Sequence, residues 1–273
     1  RVDAYSLLRM GNNAGIAIGP AVGGFIASAS YAVAFFLAAA GMIGYSLLLA
    51  FFAKETLPQL QPGVAKITAP KEQWGGYLEI LRNKSFMKFA VAFTMVMVCA
   101  SFMWVLMPVY AKQNFGVPEN QYGFIPTTNA IIVVTMQILM TRWTRKLNPL
   151  IAMAFGGALY TLGAFSVSFG SGFWWFWSSM VVMSFGELAL IPTSSTYVAN
   201  HAPPDKRGRY MSIYGLSHPL ATGFGSLIGG ILSDTFGPRT IWYGGSLIGF
   251  IGVLLLLWMA RRSLQEQPAP AVM

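Results

Sequence analysis

The chain has 273 residues, of which 55% are hydrophobic and only 10% are charged, and its formal net charge is +9 at pH 7. A soluble globular domain carries roughly 25% charged residues, so this composition excludes a soluble protein and indicates a polytopic membrane protein. Cys99 is the only cysteine, which excludes an internal disulfide and any multi-cysteine metal site.

Eight apolar runs are long enough to cross a bilayer, since a crossing takes ~20 helical residues. The runs cover residues 10–28, 31–53, 87–110, 122–141, 150–169, 173–198, 210–232 and 241–260. The sequence therefore predicts an all-α polytopic membrane protein in which these runs are membrane-spanning helices.

Basic residues are unevenly distributed between these runs. If successive helices alternate in direction, every Lys and Arg except Lys112 and Arg239 falls on one side of the membrane. Such a bias marks the cytoplasmic side. The sequence therefore predicts a multi-pass protein of the cell membrane with both ends of the chain in the cytoplasm. The same bias accounts for the net charge without a nucleic-acid partner.

The longest connection runs from residue 54 to residue 88. Its first part is rich in proline, and its second part reads EQWGGYLEILRNKSF. Tyr77, Leu78 and Leu81 recur at helical spacing with charged residues between them. This pattern predicts an amphipathic helix that lies on the cytoplasmic face and links two bundles.

Glycines spaced four residues apart mark the first run. Gly15, Gly19 and Gly23 fall on one face of a helix, followed directly by Gly24, and Pro20 lies among them. A face of small residues lets another backbone pack closely in a membrane. We therefore expect a close helix contact here and a bend at the proline.

The seventh run repeats this glycine pattern. The aligned pairs are Gly19 with Gly225, Gly23 with Gly229 and Gly24 with Gly230. Polar residues beside the glycines match as well, because Arg1 aligns with Arg207 and Ser6 with Ser212. Such internal duplication is typical of secondary transporters.

Three segments together resemble one transporter family. The pattern G-x3-G-P-x2-G-G, from Gly15 to Gly24, resembles the antiporter motif in the fifth helix of drug–proton antiporters of the major facilitator superfamily. AFFAKETLP, residues 50–58, is similar to the family's sixth helix running into its central loop. Residues 186–217 resemble the tenth helix, its loop and the eleventh helix.

This resemblance implies a major-facilitator-type bundle in which the eight runs are helices five to twelve of an expected twelve. Residues 1–54 would then be the last two helices of an N-terminal six-helix bundle. Residues 55–86 would be the cytoplasmic linker with its amphipathic helix. Residues 87–260 would form the C-terminal six-helix bundle, and residues 261–273 a cytoplasmic tail.

Glu187 is the main candidate for chemistry, because it is the only acid well inside a predicted span. An ionised carboxylate at that depth is costly unless it is paired or hydrated, so the residue should face the interior. There it either binds protons or a cationic substrate, or it braces a neighbouring helix.

Other polar residues inside the runs are secondary candidates. His218 would either relay protons or form a hydrogen bond between helices, and the absence of a visible partner favours the second role. Asn129 and Gln137 would either line a cavity or hold helices together.

The third run and the loop before the seventh supply two further hypotheses. Met103, Trp104 and Met107 could form part of a pocket for lipophilic cations, because thioethers and aromatic rings adapt to varied apolar and cationic ligands. Arg207 and Arg209 would be either a gating latch between helices or contacts to lipid headgroups.

The expected function is that of a monomeric secondary transporter, not an enzyme, without cofactor or metal. Two bundles would rock about a midplane site and export drugs or other lipophilic small molecules in exchange for protons, with membrane lipid as the surroundings. Two alternatives stay open. One is proton-coupled uptake of peptides or other small solutes, and the other is a non-transporting membrane sensor or a degenerate fragment.

Overall fold

The computed structural model describes residues 2–53 and 70–265 of the chain. The first part of the predicted linker, residues 54–69, and the end of the predicted tail, residues 266–273, lie outside the described residues. The helices, in chain order, are α1 (Val2–Ala29), α2 (Tyr31–Phe52), α3 (Pro70–Arg82), α4 (Lys84–Ser101), α5 (Met107–Phe115), α6 (Glu119–Tyr122), α7 (Phe124–Thr144), α8 (Pro149–Val167), α9 (Phe173–His201), α10 (Arg207–Phe236) and α11 (Thr240–Gln265).

The described chain is all-α, as the sequence predicts. Six helical segments are long and apolar enough to cross a membrane: Tyr31–Phe52, Lys84–Phe115, Glu119–Thr144, Pro149–Val167, Phe173–His201 and Thr240–Gln265. The other two predicted spans are also helical. Helix α1 contains the apolar stretch Ala14–Ala29, and α10 is rich in glycine and polar residues.

Local sequence explains where several helices begin and end. The side chain of Asn83 accepts a hydrogen bond from the backbone N–H of Phe86 at 3.1 Å, and that of Asn148 accepts one from Leu150 at 2.9 Å. Both residues satisfy N–H groups that a helix start leaves unpaired. Gly116 ends α5 with φ at 64°, a left-handed conformation that favours glycine.

A π turn, Phe102–Leu106, joins α4 to α5, so the helix continues to Phe115. Pro108 lies inside this continuous helix, where a proline is expected to break or bend it. Proline lacks an N–H and its ring crowds the carbonyl four residues earlier. The wider π turn directly before Pro108 takes up one extra residue, and the helix is preserved.

The core of the described chain lies within residues 80–260. All buried apolar side chains of the described part fall between Ile80 and Ala260. Helix α4 is central and packs against α8, α10 and α11. Phe102 at its end fits against Gly225, Gly229 and Gly245 of the last two helices.

The α1–α2 hairpin packs on the outside of this core. Helix α1 contacts α6 and α7, whereas α2 buries none of its side chains among the described residues. Large aromatic residues of α2, such as Phe35 and Phe51, are more than 70% exposed. A helix with such exposed apolar side chains is expected to face lipid or another helix.

Helix α3 lies at one end of the bundle, which we call the linker face. This face also carries the α7–α8 turn, the start of α10 and the end of α11. The ammonium group of Lys206 contacts both carboxylate oxygens of Glu79 at 2.7 Å, and this hydrogen bonding raises the pKa of Lys206. Asn83 donates a hydrogen bond to the hydroxyl of Tyr210 at 2.9 Å. The opposite face carries Ser30, Gly116 and Gly237.

Candidate functional site

Glu187 lies on α9 where this helix faces α7, and it is partly exposed. The side-chain nitrogen of Asn129 on α7 donates a hydrogen bond to Glu187 Oε2 at 2.9 Å. The same nitrogen lies 2.9 Å from the hydroxyl of Ser184, one turn before Glu187. Asn129 and Ser184 are buried, whereas the acid keeps open surface. We call these three side chains the Glu187 cluster. Within it, one carboxylate oxygen of Glu187 is not bonded to Asn129.

A close backbone contact on the other side of α9 positions Glu187. A Cβ built at Gly186 would lie 2.6 Å from the carbonyl oxygen of Gly156 on α8, and one at Gly156 would lie 2.7 Å from the carbonyl oxygen of Gly186. Distances this short leave no room for a side chain on either residue. The two glycines therefore let α8 and α9 touch and hold Glu187 on the face turned toward α7.

Gln137 forms a second polar contact between α7 and α9. Its amide nitrogen donates to the carbonyl of Leu188 at 3.2 Å and to the hydroxyl of Thr141 at 3.0 Å. Trp177 adds a third contact, because its indole nitrogen donates to Thr128 at 2.9 Å. In this arrangement Gln137 joins helices, while Asn129 joins them and also contacts the acid.

Among the described residues, no hydrogen bond joins the other predicted binding residues to Glu187. His218 is exposed on α10, and its carbonyl accepts a hydrogen bond from Thr222 at 3.0 Å. Met103 and Met107 are completely buried in the core of the described residues. The π turn directs both side chains inward, and only Trp104 of this set keeps exposed surface.

The glycine motif of α1 contacts α6 and α7 through a face next to the predicted one. A Cβ at Gly24 would collide with the carbonyl of Glu119, and one at Gly123 would collide with the carbonyl of Pro20. A Cβ added at Gly15, Gly19 or Gly23 would have nothing within 4 Å among the described residues. The contact face is thus the Pro20–Gly24 row, which is one residue away from the Gly19–Gly23 row on the helix surface.

The repeated motif in α10 is used differently. Gly225 lies against Ser101 and Phe102, and Gly229 lies against Leu106 and Phe102. A Cβ added at Gly230, the counterpart of Gly24, would have nothing within 4 Å in the described part of the chain. The duplicated sequence therefore provides close contacts on different faces of the two helices.

The predicted gating arginines lie on the linker face. Arg207 donates a hydrogen bond to the carbonyl of Ala199 at 3.1 Å, which joins the end of α9 to the start of α10. The guanidinium of Arg209 lies over Gly76 of α3. The Lys206–Glu79 ion pair beside them was not predicted, because its partners are 127 residues apart in the sequence.

On the opposite face, Tyr31, Lys112 and Glu119 form a second unpredicted cluster, which we call the outer cluster. Lys112 forms an ion pair with Glu119, and the Tyr31 hydroxyl contacts Glu119 and lies 3.0 Å from the Lys112 nitrogen. The cluster borders a cavity of about 590 Å³ between the α1–α2 hairpin and α5–α7. Lys112 could have pointed to this cluster from the sequence, because it is one of only two basic residues predicted on this side of the membrane.

Known proteins resemble this chain over nearly its whole length. The sequence profile of the Major Facilitator Superfamily matches residues 1–116 and residues 89–272. A Na⁺, Li⁺, K⁺/H⁺ antiporter of Planococcus maritimus is 25% identical over 294 residues, which is 95% of this chain and 66% of that protein. The multidrug resistance protein MdtH of Yersinia enterocolitica is 24% identical over 266 residues, which is 93% of this chain and 62% of that protein.

A solved structure supports the same fold. A POT family transporter in complex with a thioalcohol-conjugated peptide superimposes with a TM-score of 0.76 at 16% sequence identity, and the match covers 96% of this chain and 70% of that chain. The chain therefore spans about two thirds of the length of the proteins it resembles.

Proposed function

Because this chain belongs to the Major Facilitator Superfamily, we propose that it acts in a proton-coupled secondary transporter that exports lipophilic small molecules. The antiporter-like glycine motif favours export, and the relatives include an ion–proton antiporter and a multidrug resistance protein. The protein would lie in the cell membrane with both described ends in the cytoplasm, as the distribution of Lys and Arg suggests. It would work as a monomer without a cofactor.

The observation that carries this proposal is the contact of Asn129 with Glu187. A carboxylate between membrane helices costs several kcal/mol unless it is neutralised or hydrated. Asn129 donates to one oxygen only, so the other oxygen can take a proton or face a cationic substrate. A proton and a cation would exclude each other at this oxygen, and such exclusion produces exchange.

Exchange also requires that Glu187 is accessible from the two sides of the membrane in turn, and alternating access would provide this. The outer cluster joins α2 to α5 and α6 on one face, while the Lys206–Glu79 pair and Arg207 join elements on the linker face. We infer that these contacts break alternately as the bundles rock about the Glu187 cluster.

An alkali cation is a second candidate substrate of the same site. The Planococcus maritimus relative carries the name of an Na⁺, Li⁺, K⁺/H⁺ antiporter. The hydroxyl oxygen of Ser184 and a carboxylate oxygen of Glu187 both lie beside Asn129. Oxygen ligands suit hard cations. Peptide uptake remains a third candidate, which the POT neighbour supports in fold alone.

The test uses everted membrane vesicles that contain the full-length protein and a preformed proton gradient. Ethidium, Na⁺, K⁺ and a dipeptide are added in turn, and a pH-sensitive dye reports proton release. We expect release with ethidium, its loss in Glu187→Gln, and its retention in Asp234→Asn, which makes the same acid-to-amide change at an exposed position. Release with Na⁺ or K⁺ alone would move the protein to cation exchange. Unchanged release in Glu187→Gln would contradict the proton site.

A further inference from the structure

A groove between α4 and α11 opens on the surface of the bundle near the linker face. It has a volume of about 490 Å³. Apolar side chains of α3, α4 and α11 form its walls, with two lysines among them: Leu81, Lys84, Met87, Lys88, Val91, Leu255, Trp258 and Met259. This α4–α11 groove is separate from the Glu187 cluster, which belongs to α7 and α9.

Cations gather around one aromatic ring of the groove. The Lys88 ammonium lies 5.0 Å from the ring centroid of Trp258, and the Arg262 guanidinium lies 4.3 Å from it. Both distances are within the range of cation–π contacts, about 6 Å. Lys84 lines the same groove, and all three basic side chains are exposed. Trp258 is 40% exposed, so the ring meets both the groove and the surroundings.

The basic groups of the groove have no carboxylate partner among the described side chains. The two ion pairs of the described part are Lys112 with Glu119 and Lys206 with Glu79. The nearest described acid in sequence, Glu79, is therefore engaged elsewhere. Like charges around one ring repel each other, and an anion placed between them removes that repulsion.

We propose that the α4–α11 groove binds an anionic glycerophospholipid. The headgroup phosphate would lie between Lys84, Lys88 and Arg262, and an acyl chain would lie along the wall formed by Val91 and Leu255. Basic pockets between membrane helices on the cytoplasmic side suit such headgroups. A tryptophan at the boundary suits the interface, since its ring is amphipathic. The apolar wall favours a lipid over a free phosphate, because a soluble ion makes no use of it.

The occupant would also join three elements of the structure. Leu81 belongs to α3, Lys84 and Lys88 to α4, and Trp258 to α11. A bound lipid would therefore stabilise the docking of the linker helix against the bundle. Because the groove is formed by α3, α4 and α11 and the Glu187 cluster by α7 and α9, this inference does not depend on the transported substrate.

The test is native mass spectrometry of the purified full-length protein with dioleoyl phosphatidylglycerol and dioleoyl phosphatidylcholine. We expect phosphatidylglycerol to bind at least about tenfold more tightly, since each basic residue near a membrane surface adds roughly a factor of five. The triple variant Lys84→Gln, Lys88→Gln, Arg262→Gln should lose this preference. The control neutralises three exposed basic residues of the linker face: Arg142→Gln, Arg145→Gln and Lys146→Gln.

Three outcomes would overturn the proposal. The first is that the unmodified protein binds the two lipids equally well. The second is that the groove variant and the control lose the preference for phosphatidylglycerol to the same extent. The third is that an equal concentration of glycerol phosphate displaces the lipid completely. The last result would assign the basic groups to a soluble phosphate. Retained preference in the control with loss in the groove variant would support the lipid site.

Discussion

The side-chain nitrogen of Asn129 lies 2.9 Å from Oε2 of Glu187, so a buried amide on α7 holds the one acid inside α9. Asn129→Leu removes this donor and leaves a partly buried carboxylate unsatisfied, which costs about 1–3 kcal/mol. We expect a lower unfolding temperature and at least about tenfold slower substrate-driven proton release, as a loss of about 1.4 kcal/mol corresponds to a factor of ten.

The control for this variant is Gln137→Leu on the same helix. Gln137 bonds to the Leu188 carbonyl and to Thr141, and to no acid among the described residues. Gln137→Leu should lower the unfolding temperature but have little effect on substrate-driven proton release. Equal loss of coupling in both variants would mean that both amides act only by joining α7 to α9.

Gly186→Ala should destabilise the protein by about 1–3 kcal/mol, the usual cost of overpacking. The added methyl group would meet the backbone of Gly156 and force α8 and α9 apart. Thermal unfolding in detergent measures the effect. Gly230→Ala is the matched control, because its methyl group would meet no described atom within 4 Å beyond the adjacent backbone of α10, and alanine favours a helix. Similar shifts in the two variants would contradict the close contact.

Breaking the outer cluster should open the cavity beside it. Tyr31→Phe combined with Glu119→Gln removes the contacts that join α2 to α5 and α6. A cysteine at Ala27, which lines this cavity, should then react several-fold faster with a maleimide. Native Cys99 is buried and serves as an internal blank.

The reciprocal variant is Lys206→Gln, which removes the ion pair of the linker face. If the two faces open alternately, this variant should slow labelling at Ala27→Cys or leave it unchanged. Faster labelling in Lys206→Gln would show that the two faces are not coupled.

The orientation of the chain can be tested in the same way. Lys146 lies in the turn after α7, and Pro238 lies in the turn before α11. In a Cys99→Ser background, an impermeant maleimide applied to intact cells should label Pro238→Cys and spare Lys146→Cys. The inverse pattern would place both described ends outside the cytoplasm.

Sequence reasoning predicted the helices well because each apolar run is long enough to cross a bilayer. The runs did not give the exact helix ends, which Asn83, Asn148 and Gly116 set in the structure. The all-α fold and the family follow from these runs together with the glycine and tenth-helix motifs. The prediction was less accurate for the glycine motif, because spacing alone does not fix which of two adjacent rows on α1 faces α7.

The candidate site was only partly predictable. Glu187 could be found because an acid inside an apolar run is rare, and Asn129 because it is an amide inside another. The contact between Asn129 and Glu187 could not be predicted, because the two residues are 58 positions apart and local sequence patterns do not indicate such contacts. The complete burial of Met103 and Met107 could not be predicted, since the rotation of a helix after a π turn depends on backbone hydrogen bonds that composition does not reveal.

The π turn of residues 102–106 also gives this helix a spare residue. Because the turn already absorbs one residue beyond the α-helical count, deleting Val105, which is 37% exposed, would convert it to an ordinary α-helical turn. Phe102 on one side and Tyr110 on the other would keep their orientation toward the core. A single-codon deletion, which usually ruins a membrane helix by rotating everything beyond it, would here leave the inward-facing side chains in register.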